Sequence, residues 1–135
     1  MSEMYTERLL DHYRNPRNKG CLEASGPSDS AGEIRTAEEY NPLCGDRVTI
    51  QVLIAEGHAV EARFEGRGCA LCLGAASILT ETVKGQSLDD LAELDQDRFL
   101  AELQSPIRPA RLKCALLPWM ALRHALFGEV EWPQD

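Results

Sequence analysis

The sequence has no apolar run approaching the roughly 18–20 residues of a membrane-spanning helix. Its richest stretch, Cys114–Leu122, is short and carries Pro118. The first residues, Met1-Ser2-Glu3-Met4-Tyr5, lack the basic-then-apolar pattern of a signal peptide. No internal repeat or low-complexity tract is present, which excludes solenoids and arrays. Cations are scarce: 14 Lys and Arg against 22 Asp and Glu give a net charge of −8. Nucleic-acid binding needs clustered cations on phosphates, so a nucleic-acid partner is excluded in bulk, and the lack of an apolar span predicts no membrane partner. These absences predict a soluble protein of the cytoplasm, where thiols stay reduced.

What is present is enough for one domain, residues 1–135. A chain of 135 residues with 44% hydrophobic and 27% charged residues can close a core without a disulfide or a metal. Apolar positions at Tyr5, Leu9, Leu10 and Tyr13 predict a helix over Met4–Tyr13, ended by the Asn15-Pro16 step. Cys21–Ala31 is rich in Gly, Ser and Pro and reads as a loop. Ile34–Tyr40 is a first strand. Val48, Ile50, Val52 and Ile54 alternate with their neighbours, as do Val60, Ala62 and Phe64, with Gly57-His58 as the hairpin signal between them. The rest is helical: Cys69–Val83 stopped at Lys84-Gly85, a short helix capped near Ser87, another through Arg98–Leu103, and a last one ending at Phe127-Gly128. Strands followed by helices predict an α+β fold, a small three-stranded antiparallel sheet with helices packed on one face.

The five cysteines do not close into pairs. Three of them sit where the chain changes element. Cys44 lies in the Asn41-Pro42-Leu43-Cys44-Gly45-Asp46 turn, Cys69 follows Gly66-Arg67-Gly68, and Cys114 opens the last helix. A start near Cys114 brings Pro118 close to the first turn, where proline is tolerated; a longer, kinked helix is the alternative. Helix N-termini favour the thiolate at Cys69 and Cys114, and Arg108, Arg111 and Lys113 add positive charge around Cys114. The Cys44-Gly45-Asp46 turn aims a thiolate and a carboxylate at one point. Three thiolates and one carboxylate suit tetrahedral Zn²⁺, and thiolates suit iron–sulfur clusters.

Cysteine is also a common core residue, so each one alone is core more often than ligand. The spacings 69 − 44 = 25 and 114 − 69 = 45 match no zinc-finger pattern. Cys69 and Cys72 form a CxxC, but the strands around it are antiparallel, which argues against a thioredoxin-type dithiol. Cys72 reads most simply as a small buried residue one turn into its helix. His12 and His124 read as surface or satisfied core, His58 as a hairpin residue, Trp119 and Met120 as core or partner surface, and the acidic Asp89–Asp97 stretch as a solvated face.

At these motifs the chain resembles the scaffold family of iron–sulfur cluster assembly, the group of IscU, SufU and the NifU N-terminal domain. The resemblance runs from Tyr5 to Phe127. It is carried by Asp11-His12-Tyr13-Arg14-Asn15-Pro16-Arg17-Asn18, by Asn41–Asp46, by Gly66-Arg67-Gly68-Cys69-Ala70 and by Pro109–Trp119. It implies a ligand set of Cys44, Asp46, Cys69 and Cys114, holding zinc or a transient iron–sulfur cluster. It implies a cysteine desulfurase as the persulfide donor and iron–sulfur apoproteins or carriers as recipients. Cys44 and Cys114 are the candidate sulfur acceptors. The implied role is a scaffold or sulfur-transfer accessory protein rather than a turnover enzyme. The alternative is a structural zinc module without sulfur transfer.

The branch signals are mixed. Lys113 precedes the third cysteine where IscU carries histidine, as in SufU. The 45-residue interval to Cys114 lacks the extra segment of SufU. The Leu-Pro-Pro-Val-Lys motif of IscU is replaced by Ser105-Pro106-Ile107-Arg108-Pro109. Cys72 stands where the family usually has serine.

Overall fold

The computed structural model describes residues 5–22, 32–42 and 45–128. Most of the loop expected over Cys21–Ala31 lies outside these residues, as do Met4, Leu43 and Cys44. Helix α1 spans Glu7–Arg14. It starts later than the apolar spacing suggests because Thr6 is its cap: the Thr6 side-chain oxygen accepts from the Leu9 N–H at 3.4 Å. Tyr5 therefore precedes the helix, and the buried face is Leu9 and His12.

Strands β1 (Glu33–Asn41), β2 (Asp46–Ala55) and β3 (His58–Arg67) form one antiparallel sheet in the order β1-β2-β3. Ile50 pairs with Phe64 and Val52 with Ala62, so alternate residues build one apolar face. The two-residue turn is Glu56-Gly57, with φ of 53° and 78°, and His58 already opens β3. This corrects the Gly57-His58 reading. A tight hairpin needs left-handed backbone at both loop positions, and the glycine accepts it without a Cβ penalty. The free edge of β3 is covered by the turn after α1: the Phe64 N–H donates to the Asn18 carbonyl at 3.0 Å, and the Gly20 N–H to the Phe64 carbonyl at 2.8 Å.

Helices α2 (Ala70–Val83), α3 (Leu88–Ala92), α4 (Gln96–Leu103) and α5 (Leu112–Phe127) follow. Ser87 and Asp95 cap α3 and α4 through their side-chain oxygens. The acidic residues Asp89, Asp90, Glu93, Asp95 and Asp97 are exposed, as expected of a solvated face. Helix α2 packs on β3 and α1; α5 packs on β1, β2 and α2. The architecture is the α+β layer the sequence implies.

The last helix differs in its start. Pro109–Arg111 makes a 3-10 turn and α5 begins at Leu112, so Cys114 is its third residue and Pro118 lies in its interior. An interior proline removes one ladder hydrogen bond at a cost of roughly 3 kcal/mol. Here every residue from Cys114 to Leu122 is buried, and that packing offsets the loss. Among the described residues no helix is long and apolar enough to cross a membrane.

Candidate metal centre

Three elements end at one place. Asp46 is the first residue of β2 and only 3% exposed. Arg47 pairs with Arg67 across β2 and β3, which brings the end of β3 beside Asp46. The chain then turns through Gly68 to Cys69, the N-cap of α2, with extended backbone at φ −76° and ψ 169°. A Cβ on Gly68 would come within 2.9 Å of the Asp46 carboxylate, so glycine is the residue that lets the two loops close on each other. Cys114 reaches the same point from the first turn of α5 and is 5% exposed.

The ligand-type atoms of Asp46, Cys69 and Cys114 all lie within 4.8 Å of one another. The Cys69 thiol donates to Asp46 Oδ2 at 3.5 Å. With Zn–S near 2.3 Å, tetrahedral ligand atoms sit roughly 3.5–3.8 Å apart, so this donor set fits zinc with small adjustments. Two thiols and a carboxylate suit a borderline-soft ion. Burying a carboxylate without a partner is costly, and the Cys69 thiol is a partner here.

Arg111 belongs to the same cluster. Attraction to the Cys69 sulfur when ionised and a hydrogen bond to it, with a smaller contribution from Cys114, hold the guanidinium above its usual pKa. Its Nε is buried and has no hydrogen-bond partner among the described residues. The sequence places three cations around Cys114. In the structure Arg111 serves Cys69 first, while Arg108 and Lys113 are exposed.

Cys44 lies outside the described residues, although Gly45 next to it has φ 79° and its N–H donates to the Asn41 carbonyl at 2.7 Å. Cys72 is fully buried in the core. Cys21 is exposed and lies beside Glu65; a hydrogen bond to that carboxylate raises its thiol pKa. His12 Nδ1 is 2.7 Å from Ser77 Oγ, His124 Nδ1 is 2.8 Å from Glu39, and His58 Nδ1 is 3.1 Å from the Glu56 carbonyl, so each histidine has a partner away from the thiols. Trp119 is core, with its Nε1–H donating to the Leu94 carbonyl at 2.8 Å. Sequence reasoning missed the Arg111–Cys69 link and the fit of Gly68 to Asp46. Only the glycine immediately before Cys69 offered a signal for the second.

Comparison with known families decides the kinship. The profile of the NifU-like N-terminal domain matches residues 4–128. The chain belongs to that family. It is thereby a member of the iron–sulfur cluster assembly scaffold group that includes SufU and IscU. It is 30% identical to the zinc-dependent sulfurtransferase SufU of Bacillus subtilis, over 96% of this chain and 93% of that protein. It is 32% identical to the iron–sulfur cluster assembly scaffold protein IscU of Escherichia coli, over 90% of this chain and 91% of that protein. The solved structure of a putative SUF-system scaffold protein from Fervidobacterium islandicum superposes with a TM-score of 0.71 at 26% identity, covering 92% of this chain and 97% of that one.

Proposed function

We propose that this chain is a single-domain scaffold and sulfur acceptor. In this reading it takes persulfide sulfur from a cysteine desulfurase and passes sulfur or a cluster to iron–sulfur apoproteins or carriers. The observation that carries the reading is the convergence of Asp46, Cys69 and Cys114 within 4.8 Å. Cys44, two residues before Asp46, completes the proposed ligand set. Zinc is the proposed resident ion, and an iron–sulfur cluster is cargo at the same residues. When bound, zinc would hold the thiols as thiolates and fix their direction.

The transfer is a thiol–persulfide exchange. A thiolate of this chain attacks the sulfane sulfur of the donor's persulfide. A new S–S bond forms here, the donor's S–S bond breaks, and the donor cysteine leaves as a thiolate. Cys44 and Cys114 are the candidate acceptors. Cys114, at 5% exposure, suits holding the site better than making first contact with a donor, so the proposal favours Cys44 for the attack. Asp46, the oxygen donor, binds a soft ion least tightly and is the ligand a partner displaces most easily.

The test is anaerobic incubation of the purified protein with iron, cysteine and a desulfurase. Faster cysteine turnover with a mass gain of sulfur on a site cysteine supports sulfur acceptance, and a thiolate-to-iron visible spectrum supports scaffold work. Absence of both signals, with the fold intact, would overturn the reading.

A further inference from the structure

Cys69 and Cys72 occupy the N-cap and the third position of α2. Residues three apart share a helix face. The Cys72 N–H donates to Cys69 Sγ at 3.5 Å, so the Cys69 sulfur hangs over the first turn that Cys72 belongs to. The two thiols differ in access: Cys69 is half-buried and reachable, whereas Cys72 is 0% exposed. An accessible sulfur above a buried one on a single turn is the arrangement of an attacking and a resolving cysteine. That chemistry needs the first turn of a helix and not a parallel sheet, and the β3–α2 junction supplies it.

We propose that Cys72 is a resolving thiol for Cys69. When Cys69 carries a sulfur adduct, Cys69–S–S–R, the Cys72 sulfur attacks the Cys69 sulfur. The Cys69–Cys72 disulfide forms, the S–S bond between the Cys69 sulfur and the sulfur of R breaks, and the proton of Cys72 ends on the leaving thiol, R–SH. The adduct comes from a low-molecular-weight disulfide, which is the two-electron oxidant. In the first step the Cys69 thiolate attacks one sulfur of R–S–S–R, the S–S bond of that disulfide breaks and one R–S⁻ leaves; the Cys69 proton has the Asp46 carboxylate 3.5 Å away as acceptor. Cβ atoms three apart on a helix are roughly 5–6 Å from each other. A disulfide needs about 3.8 Å. Cys69 is the N-cap with extended backbone, so the within-helix spacing does not fix its Cβ.

Closure has a consequence for the metal centre. It takes Cys69 out of the group with Asp46 and Cys114, so an oxidised chain loses a ligand. If the adduct is a persulfide, the leaving group is sulfide; this extension alone rests on the proposed sulfur uptake.

Trypsin reads the chemistry directly. Arg67 and Lys84 bound the peptide Gly68–Lys84, which holds Cys69 and Cys72 and no other cysteine. The full chain is treated with a chelator and oxidised glutathione, alkylated and digested. The expected product is this peptide lighter by two hydrogens, with glutathione lost from it. C72S and C72A, each checked for a cooperative melt, are expected to keep glutathione on the same peptide. A lasting adduct on the unaltered chain, or no reaction at Cys69 in any of the three, overturns the proposal. No desulfurase takes part, so failure here is read separately from failure of sulfur uptake.

Discussion

Gly68 lies so close to the Asp46 carboxylate that a Cβ on it would stand 2.9 Å from both Cγ and Oδ1. Its backbone is not in the left-handed region, so alanine there brings crowding without dihedral strain. Gly68→Ala is therefore expected to push Asp46 off the thiol cluster while leaving the core packed. Zinc affinity, measured by competition with a chromophoric chelator, should fall by about tenfold or more, the scale on which disturbed metal sites respond. The thermal melt should stay cooperative. Unchanged affinity would mean that Asp46 is not a ligand.

Metal removal separates a functional site from a structural module. The core is built from the inner sheet face, α2 and α5, and it closes on Leu9, Ile50, Phe64, Ile78 and Leu117, all at or below 1% exposure. Such burial stabilises by roughly 1.5–3 kcal/mol for each large side chain. The chain is expected to keep a cooperative melt in excess chelator, with a lowered midpoint. Loss of the transition would favour the structural zinc module instead.

His12 gives stability a pH dependence. It is buried, and its Nδ1 lies 2.7 Å from Ser77 Oγ, which also accepts from the Arg17 N–H at 2.9 Å. Burial, followed by the charges of Arg17 and Arg8, lowers its pKa below the ordinary 6.5. The unfolded chain therefore binds the proton more readily than the folded one. Stability from this group is present above the unfolded value and is lost as pH falls through about 6.5 toward the lowered folded value. Urea unfolding at pH 8 and pH 5.5 should show lower stability at the acid end, with a smaller difference in His12→Gln. Ser77→Ala should cost about 1–3 kcal/mol at either pH, because buried His12 and the N–H of half-buried Arg17 lose their partner.

The contact between α1 and α2 rests on a second glycine. A Cβ at Gly74 would stand 2.9 Å from both the Leu9 carbonyl oxygen and its Cδ1. Gly74→Ala is expected to destabilise by about 1–3 kcal/mol through overpacking, against the usual helix gain from alanine. A stabilised variant in a denaturant titration would contradict this packing.

The three strands, the helix C-termini and the Ser87 cap were legible because alternation, glycine stops and capping side chains are local signals. The Phe127-Gly128 stop stands where the sequence places it, since Gly128 has φ 90°. The start of α5 was not legible. Pro118 argues locally for a helix beginning near it, and only burial of the whole Cys114–Leu122 stretch overrides that preference. The candidate site was legible as residue types at element junctions. Its internal geometry was not, because the approach of Arg111 to Cys69 spans 42 residues, 111 − 69, and no spacing rule covers it. Cys72 was legible as core, and its relation to Cys69 needed the N-cap geometry to become visible.

The central claim is that Asp46, Cys69 and Cys114 act together as a metal-binding thiol centre. Titration of the metal-free full chain with Co²⁺ under anaerobic conditions tests it most directly, since bound thiolates give a near-ultraviolet charge-transfer band. The account predicts saturation at one ion per chain. It predicts a band that is lost or greatly weakened in Cys69→Ser and Cys114→Ser and retained in Cys21→Ser. Equal bands in all four proteins, or no thiolate band in the unaltered chain, would contradict it.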